Sequence, residues 1–190
     1  LTKILPLLLI TLACDPEPVL LEQSQVIADA GHSGVYVLSE GLFNQNNSTL
    51  SWIDFTTGTA DSWTSATGRS FDVFEKVNGR RLGDTANDMI LYGSRLYIVV
   101  SESSTIEILD AATCSSRKQI ALSNDGKASQ PRYLTAHDGF IYICCFDGTV
   151  TRIDTLTMTA DATVQVGRNP DGICYANGKL YVSNSGGLDK

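Results

Sequence analysis

From Gly34 onward, apolar residues come in short runs and not at helical spacing. The runs are Val35-Tyr-Val-Leu38, Leu96-Tyr-Ile-Val-Val100, Phe140-Ile-Tyr-Ile-Cys-Cys145 and Leu180-Tyr-Val182. All are rich in β-branched and aromatic residues, and clusters of Gly, Asn, Asp and Ser separate them, which is the punctuation of strands joined by turns. Three runs are introduced by turn sequences: Tyr92-Gly93-Ser94, His137-Asp138-Gly139 and Asn177-Gly178. The Asp-Gly and Asn-Gly dipeptides are favoured in hairpins because both residues tolerate positive φ. The pattern predicts an all-β chain with no sustained helix.

Spacing turns these strands into an architecture. Tyr97, Tyr142 and Tyr181 recur at intervals of roughly 40 to 45 residues, the period of a propeller repeat. A second marker, an aliphatic residue followed by Asp, recurs as Ile53-Asp54, Leu109-Asp110 and Ile153-Asp154. Asp110 follows Tyr97 at nearly the same distance as Asp154 follows Tyr142. Each unit reads as a strand, a Gly turn, a strand with the tyrosine, a tight turn and a strand ending at Asp. A fourth strand such as Thr163–Val166 completes it. Four short strands repeating at such a period describe a β-propeller blade, whereas a β-sandwich would give strands without fixed markers. The first unit is stretched, with Tyr36 much farther from Tyr97 than Tyr97 is from Tyr142. Its excess falls in the loop Gly41–Ser48 and in Trp63–Asp88, which contains Phe71-Asp-Val-Phe74 and Asn78-Gly-Arg-Arg-Leu-Gly-Asp84. Residues 31–190 hold about three and a half blades and propellers have about four to eight, so a fragment of a longer reading frame is expected.

Residues 1–14 differ from everything after them. Lys3 precedes an apolar run from Ile4 to Ala13, broken once by Thr11. That run is about half the roughly 20 residues a spanning helix needs, and it has the form of a secretory signal. Ala13-Cys14 followed by Asp15-Pro16-Glu17-Pro18 resembles a bacterial lipoprotein signal, in which the cysteine becomes the acylated first residue. Thr11 departs from the usual Leu, and a plain cleaved signal with an incidental Cys14 is the alternative. Two prolines and several acids then make a tether. The expected organisation is a signal peptide at 1–13, a lipidated cysteine with its tether at 14–30, and a partial propeller at 31–190.

Charge and candidate chemistry narrow the function classes. With Lys+Arg 14 against Asp+Glu 21 the net charge is −7, which leaves no basic excess to neutralise nucleic-acid phosphates. His32 and His137 lack partners at metal-site spacing, and no HExxH, paired CxxC, EF-hand, GxSxG or Walker sequence occurs. No cofactor or metal is expected. Cys144 and Cys145 are adjacent on a strand and so face opposite ways, which places at least one in the core. Spacing leaves open whether Cys114, Cys144, Cys145 or Cys174 forms a disulfide.

Strand direction locates a candidate binding face. Successive strands of a blade run antiparallel, so the turn between its second and third strands shares an end with the loop leading into the next blade. The lead-in loops are Asn78–Asp88, Ser123–Arg132 and Gly167–Gly172, and the turns are Glu40–Ser48, Ser101–Ser104, Asp147-Gly148 and Asn184–Gly187. Together they bring Arg81, Asp88, Glu102, Arg132, Asp147, Arg168, Asn169, Asp171 and Asn184 to one end of the axis. Loops on a rigid scaffold are where binding residues concentrate, and donors and acceptors of both signs suit a small polar ligand. The competing explanation is that Asp and Asn there only make turns.

Three segments carry a family resemblance: Gly34-Val-Tyr-Val-Leu-Ser-Glu-Gly41, Asn78–Asp84 and Asn177-Gly-Lys-Leu-Tyr-Val-Ser-Asn-Ser-Gly-Gly187. They resemble the YncE-like, YVTN-repeat propellers of Bacteroides-type bacteria, which are surface-layer or cell-surface lipoproteins. The resemblance implies a seven-bladed propeller of which this chain is the N-terminal half. It implies an outer-membrane, surface-exposed protein held to the membrane by its lipid alone. It also implies non-enzymatic capture of a corrinoid such as cobalamin and its delivery to a TonB-dependent transporter. Other propellers resemble lactonases and streptogramin lyases, or adhesion and protein-interaction modules, and those are the alternatives.

The lipoprotein reading has a direct consequence. Metabolic labelling with palmitate in a Gram-negative host marks the protein, and Cys14→Ala abolishes the label. Label that persists in Cys14→Ala excludes Cys14 as the acylated residue.

Overall fold

The computed structural model describes residues 34–55, 59–60 and 72–187. The signal peptide, Cys14, the tether, His32 and the segment from Trp63 to Phe71 lie outside the described residues. Strands β1 (Gly34–Ser39), β2 (Thr49–Asp54) and β3 (Thr59–Ala60) form a three-stranded sheet. Helix α1 (Val73–Asn78) follows. Strands β4 (Ala86–Tyr92), β5 (Arg95–Val100), β6 (Thr105–Asp110) and β7 (Ser116–Ala121) make a four-stranded sheet in chain order. A small hairpin, β8 (Ser123–Asn124) with β9 (Lys127–Ala128), leads to a second four-stranded sheet of β10 (Pro131–His137), β11 (Phe140–Cys145), β12 (Thr149–Asp154) and β13 (Thr159–Gln165). Strands β14 (Pro170–Ala176) and β15 (Lys179–Asn184) form a last hairpin. All pairings are antiparallel.

Register shows that the units are equivalent. Gly34 faces Asp54, Arg95 faces Asp110 and Phe140 faces Asp154. Strand β1 therefore stands where β5 and β11 stand, as the second strand of its blade, and Tyr36, Tyr97 and Tyr142 are the same position. The first strands pack side by side, β10 against β4 and β14, and β4 also touches β1, the second strand of the first blade. Sheets joined along their first strands, each running outward strand by strand, make a β-propeller, as the repeat predicts.

Packing between blades explains the unbroken apolar runs. Leu96, Ile98 and Val100 of β5 join Leu50, Leu82 and Leu109 in a core with Tyr36, Leu38 and Trp52 of the first blade. The alternate residues, Tyr97 and Val99, point the other way and join Ile106, Ile108, Ile141, Ile143 and Ile153 in the core shared with the third blade. A strand covered on both faces has no solvent side, so its sequence does not alternate with polar residues. Gly34 fits the same scheme, because a Cβ there would stand 2.4 Å from Trp52 and from the Ile53 carbonyl.

Helix α1 departs from the expectation of an all-strand domain. Asp72 caps it by accepting the Glu75 N–H at 3.1 Å, and Gly79 at φ 66 closes it with its N–H donating to the Glu75 carbonyl at 2.9 Å. Asp-x-x-Glu and a terminal Gly are start and stop signals, but six residues are too few to display a helical period. Val73 and Phe74 are buried and fix the helix on the first inter-blade core.

The sequence after the helix is a clamp on the second blade. Asn78 Nδ2 donates to the Phe74 and Cys114 carbonyls, both at 3.0 Å, and its Oδ1 accepts the Ser116 N–H at 2.7 Å. Arg80 stacks over Phe74 at 4.9 Å and donates to both oxygens of Glu107 at 2.8 and 2.9 Å. Glu107 is fully buried on β6 and also accepts from Ser116 Oγ at 2.5 Å and Gln119 Nε2 at 3.1 Å. A buried carboxylate is tolerable only when paired and hydrogen-bonded, and this one is satisfied on every side.

Removing the guanidinium leaves Glu107 buried and uncompensated. Arg80→Ala is therefore expected to lower unfolding free energy by about 3 kcal/mol in denaturant titrations, at the low end for a buried pair because Arg80 is partly exposed. Adding Glu107→Gln recovers most of that loss. If Arg80→Ala instead costs no more than an ordinary surface ion pair is worth, water solvates Glu107 and the clamp is not what holds the insertion.

Candidate functional site

The end of the propeller that carries the lead-in loops is built by one device used three times. The residue just before each first strand, namely Thr85, Gln130 and Asn169, takes a left-handed backbone with φ of 61, 51 and 49°. Its carbonyl then accepts an N–H from the turn after the second strand: Ser101 to Thr85 at 2.8 Å, Phe146 to Gln130 at 2.9 Å, and Ser185 to Asn169 at 2.9 Å. Each lead-in loop is thereby tied to the turn beside it. Positive φ at Thr85, a β-branched residue, is costly and persists because the surrounding bonds over-determine it.

A β-bulge follows at every one of these starts, between Ala86 and Asp88, between Pro131 and Tyr133, and between Pro170 and Ile173. The extra residue of a bulge is re-aimed out of the ladder. In the second and third blades it is Asn87 and Arg132, and Asp171 holds the matching place in the fourth.

These residues surround a hollow of about 210 Å3 at the junction of the first three blades. The first strands and their lead-ins contribute Thr85, Asn87, Gln130 and Arg132, and the turns contribute Glu40, Ser101, Glu102 and Phe146. Gln130 Nε2 donates to Glu102 at 3.0 Å, and Asn87 Nδ2 reaches Glu40 at 3.4 Å. Arg132 donates to Asp171 at 2.8 Å and lies over the rings of Phe146 and Tyr133 at 5.4 and 5.8 Å. Two polar atoms in this wall are buried with no hydrogen-bond partner among the described residues: the acceptor Asn87 Oδ1 and the donor Arg132 Nε.

The hollow draws in some of the sequence-predicted residues and leaves others aside. Glu102 and Arg132 line it, and Asp171 holds Arg132 in place. Asp88 is inside β4, where its carboxylate accepts the Leu134 N–H of the third blade at 3.1 Å and the Met89 N–H at 2.9 Å. Burial raises its pKa, with those two bonds opposing. It stitches two blades together and stands one residue away from the position that reaches the hollow. Asp147 accepts from Thr149 N and Oγ1 at 3.1 and 2.6 Å, the closed turn of an Asx residue. Arg81 donates to the Asn46 carbonyl at 3.3 Å in the loop of the first blade. Arg168, Asn169 and Asn184 gather at the start of the fourth blade, outside the hollow's lining.

Glu40, Thr85, Asn87, Ser101, Gln130 and Phe146 complete the wall and were not singled out. The repeat carries a signal for four of them: Glu40, Ser101 and Phe146 all open a second-to-third turn, and Asn87 aligns with Arg132.

The remaining candidate chemistry is structural. Cys114, Cys144, Cys145 and Cys174 are thiols outside any disulfide, the first three buried. Burial pushes the Cys145 thiol up to about 12 and raises Cys144 as well, which keeps both protonated. His137 stacks on Tyr175 with ring centroids 3.5 Å apart. Among the described residues no group of three or more His, Cys, Asp or Glu could hold a metal ion, and no helix is long and apolar enough to cross a membrane.

Comparison with known proteins agrees with the fold. A family model described as "Domain of unknown function (DUF5074)" matches residues 33–188. No curated protein matches the sequence. Among solved structures, Sqt1 of Saccharomyces cerevisiae superposes with a TM-score of 0.56 at 12% identity, over 80% of this chain and 38% of that one. BamB from Moraxella catarrhalis gives 0.50 at 21% identity, over 80% of this chain and 45% of that one. The computationally designed Ika4 protein gives 0.53 at 14% identity, over 84% of this chain and 91% of that one. The chain spans less than half the length of Sqt1 and of BamB, and these likenesses concern the fold alone.

Proposed function

The chain belongs to the DUF5074 family, and on that premise we propose that it is a non-enzymatic binding module whose loop face takes up a small polar ligand. The observation that carries this reading is the pair of unsatisfied groups in the wall of the 210 Å3 hollow, Asn87 Oδ1 and Arg132 Nε. Buried polar groups are nearly always hydrogen-bonded, and leaving one unmade is costly. A ligand that carries both a donor and an acceptor, as a carboxamide does, matches these two groups in kind. Phe146 and the hydrocarbon of Arg132 supply the apolar contact for the rest of such a molecule.

The resemblance of Gly34–Gly41 and Asn78–Asp84 to surface-lipoprotein propellers extends the proposal. A corrinoid carries several peripheral carboxamides, one of which would enter the hollow while the ring lies across the loops outside it, and it is the ligand we assign to this face. The protein is then held by a lipid at Cys14 on the outer membrane, facing outward, and passes its ligand to a TonB-dependent transporter.

Calorimetric titration of the chain with cobalamin and with cobinamide tests the assignment. We expect saturable heat, and a loss of about ten- to a hundredfold in affinity for Arg132→Ala, the worth of one charge-assisted hydrogen bond. Asn87→Ala weakens binding by a smaller factor, and Arg168→Ala leaves it nearly unchanged. No heat with either corrinoid rejects that ligand class. Tight binding that neither Arg132→Ala nor Asn87→Ala changes removes the site from this hollow.

A further inference from the structure

The opposite end of the propeller carries a second hollow, of about 180 Å3, lined by Tyr92, Gly93, Ser94, Arg95, Tyr97 and Thr155. It sits between the second and third blades, where the β4–β5 turn meets the β12–β13 turn. Its origin is a break in the repeat. Between the first and second blades, the Tyr36 hydroxyl crosses the junction and donates to the Ala111 carbonyl at 2.9 Å. The same two positions one blade later are Tyr97 and Thr155, because Thr155 follows Asp154 as Ala111 follows Asp110. There the Thr155 carbonyl is taken by Arg95 Nη1. Tyr97 is fully buried, and its hydroxyl has the Arg95 guanidinium beside it but no acceptor for its own hydrogen. The first blade has Gly34 where the second has Arg95, so nothing competes with Tyr36.

The groups facing this space are donors. Tyr92 Oη already accepts the Gly139 N–H at 2.8 Å, so its own hydrogen is left to point elsewhere. Arg95 has five N–H groups, of which one is spent on Thr155 and another is turned toward Tyr97. Burial raises the pKa of Tyr97, with Arg95 beside it opposing, so the hydroxyl is protonated at neutral pH and can donate. No carboxylate lines the hollow, in contrast to Glu40 and Glu102 at the other end. The space is also well below the roughly 300–1,000 Å3 of a drug-sized pocket.

We propose that this second hollow binds a small oxyanion, a carboxylate or a phosphate, held by the Arg95 guanidinium and the hydroxyls of Tyr97 and Tyr92. Charge-assisted bonds from a guanidinium and two phenols, with no competing acid in the wall, select an anionic acceptor. The site is independent of the loop face and lies at the other end of the blades.

The test titrates acetate and inorganic phosphate separately into the full chain at constant ionic strength, reading tyrosine absorbance and Tm. A single saturable response is expected, weakened at least about tenfold by Tyr97→Phe and by Arg95→Gln. Tyr97→Phe keeps the ring and its packing, so it tests the hydroxyl without emptying the core. A response to acetate alone identifies a carboxylate ligand, to phosphate alone a phosphate, and to both a general oxyanion site. No saturable response to either anion overturns the proposal, as does a response that Tyr97→Phe leaves unchanged.

Discussion

Burial of β5 on both faces is the constraint on which the rest of this structure depends. Leu96, Ile98 and Val100 close one inter-blade core and Tyr97 and Val99 close the next. Strand β11 repeats the arrangement, with Ile141, Ile143 and Cys145 facing the second blade and Cys144 buried on the other side. Full burial of one aliphatic side chain contributes about 1.5–3 kcal/mol, and these two strands bury more apolar side chains than any other described strand. They also leave no freedom in how neighbouring blades meet. A one-residue slip in β5 would exchange its two faces and present Tyr97 to a space shaped for Leu96 and Ile98.

A frame so tightly specified turns its ends into places where variation is cheap. At the loop end, a left-handed residue and a bulge recur at each described first strand, and the side chain in the bulge differs each time: Asn87, then Arg132, then Asp171. The backbone device aims these groups, and the sequence decides the chemistry. At the other end, Arg95 at the place of Gly34 diverts one carbonyl and releases a buried phenol. The clamp of Asn78, Arg80 and Glu107 belongs to the same economy. It fastens an insertion to the second blade through polar bonds, beside the apolar packing of Val73 and Phe74.

Much of this was legible in the chain itself. Tyrosines and Asp markers at fixed spacing placed the strands, their order and the end at which loops gather, because a repeated blade repeats its pattern. The unalternating runs at Leu96–Val100 and Phe140–Cys145 are the trace in the sequence of strands without a solvent face. The helix at Val73–Asn78 escaped because its only signals were a cap and a glycine, and its length is under two turns. Of the candidate residues, Glu102 and Arg132 line the loop-end hollow, whereas Asn87 stands there and Asp88 does not. The cause is the bulge after Ala86, which shifts the register by one and cannot be seen in the strand pattern. Thr85 and Gln130 were missed for a related reason, since their role begins with a backbone angle and not with a side-chain type.

Native-state hydrogen exchange on the whole chain tests the central claim most directly, because amide protection reports which strands open only with the entire fold. If two-face burial holds the blades together, the amides of β5 and β11 are the slowest to exchange, and those of the exposed outer strand β13 exchange far faster. Protection in β5 no greater than in β13 would contradict the account.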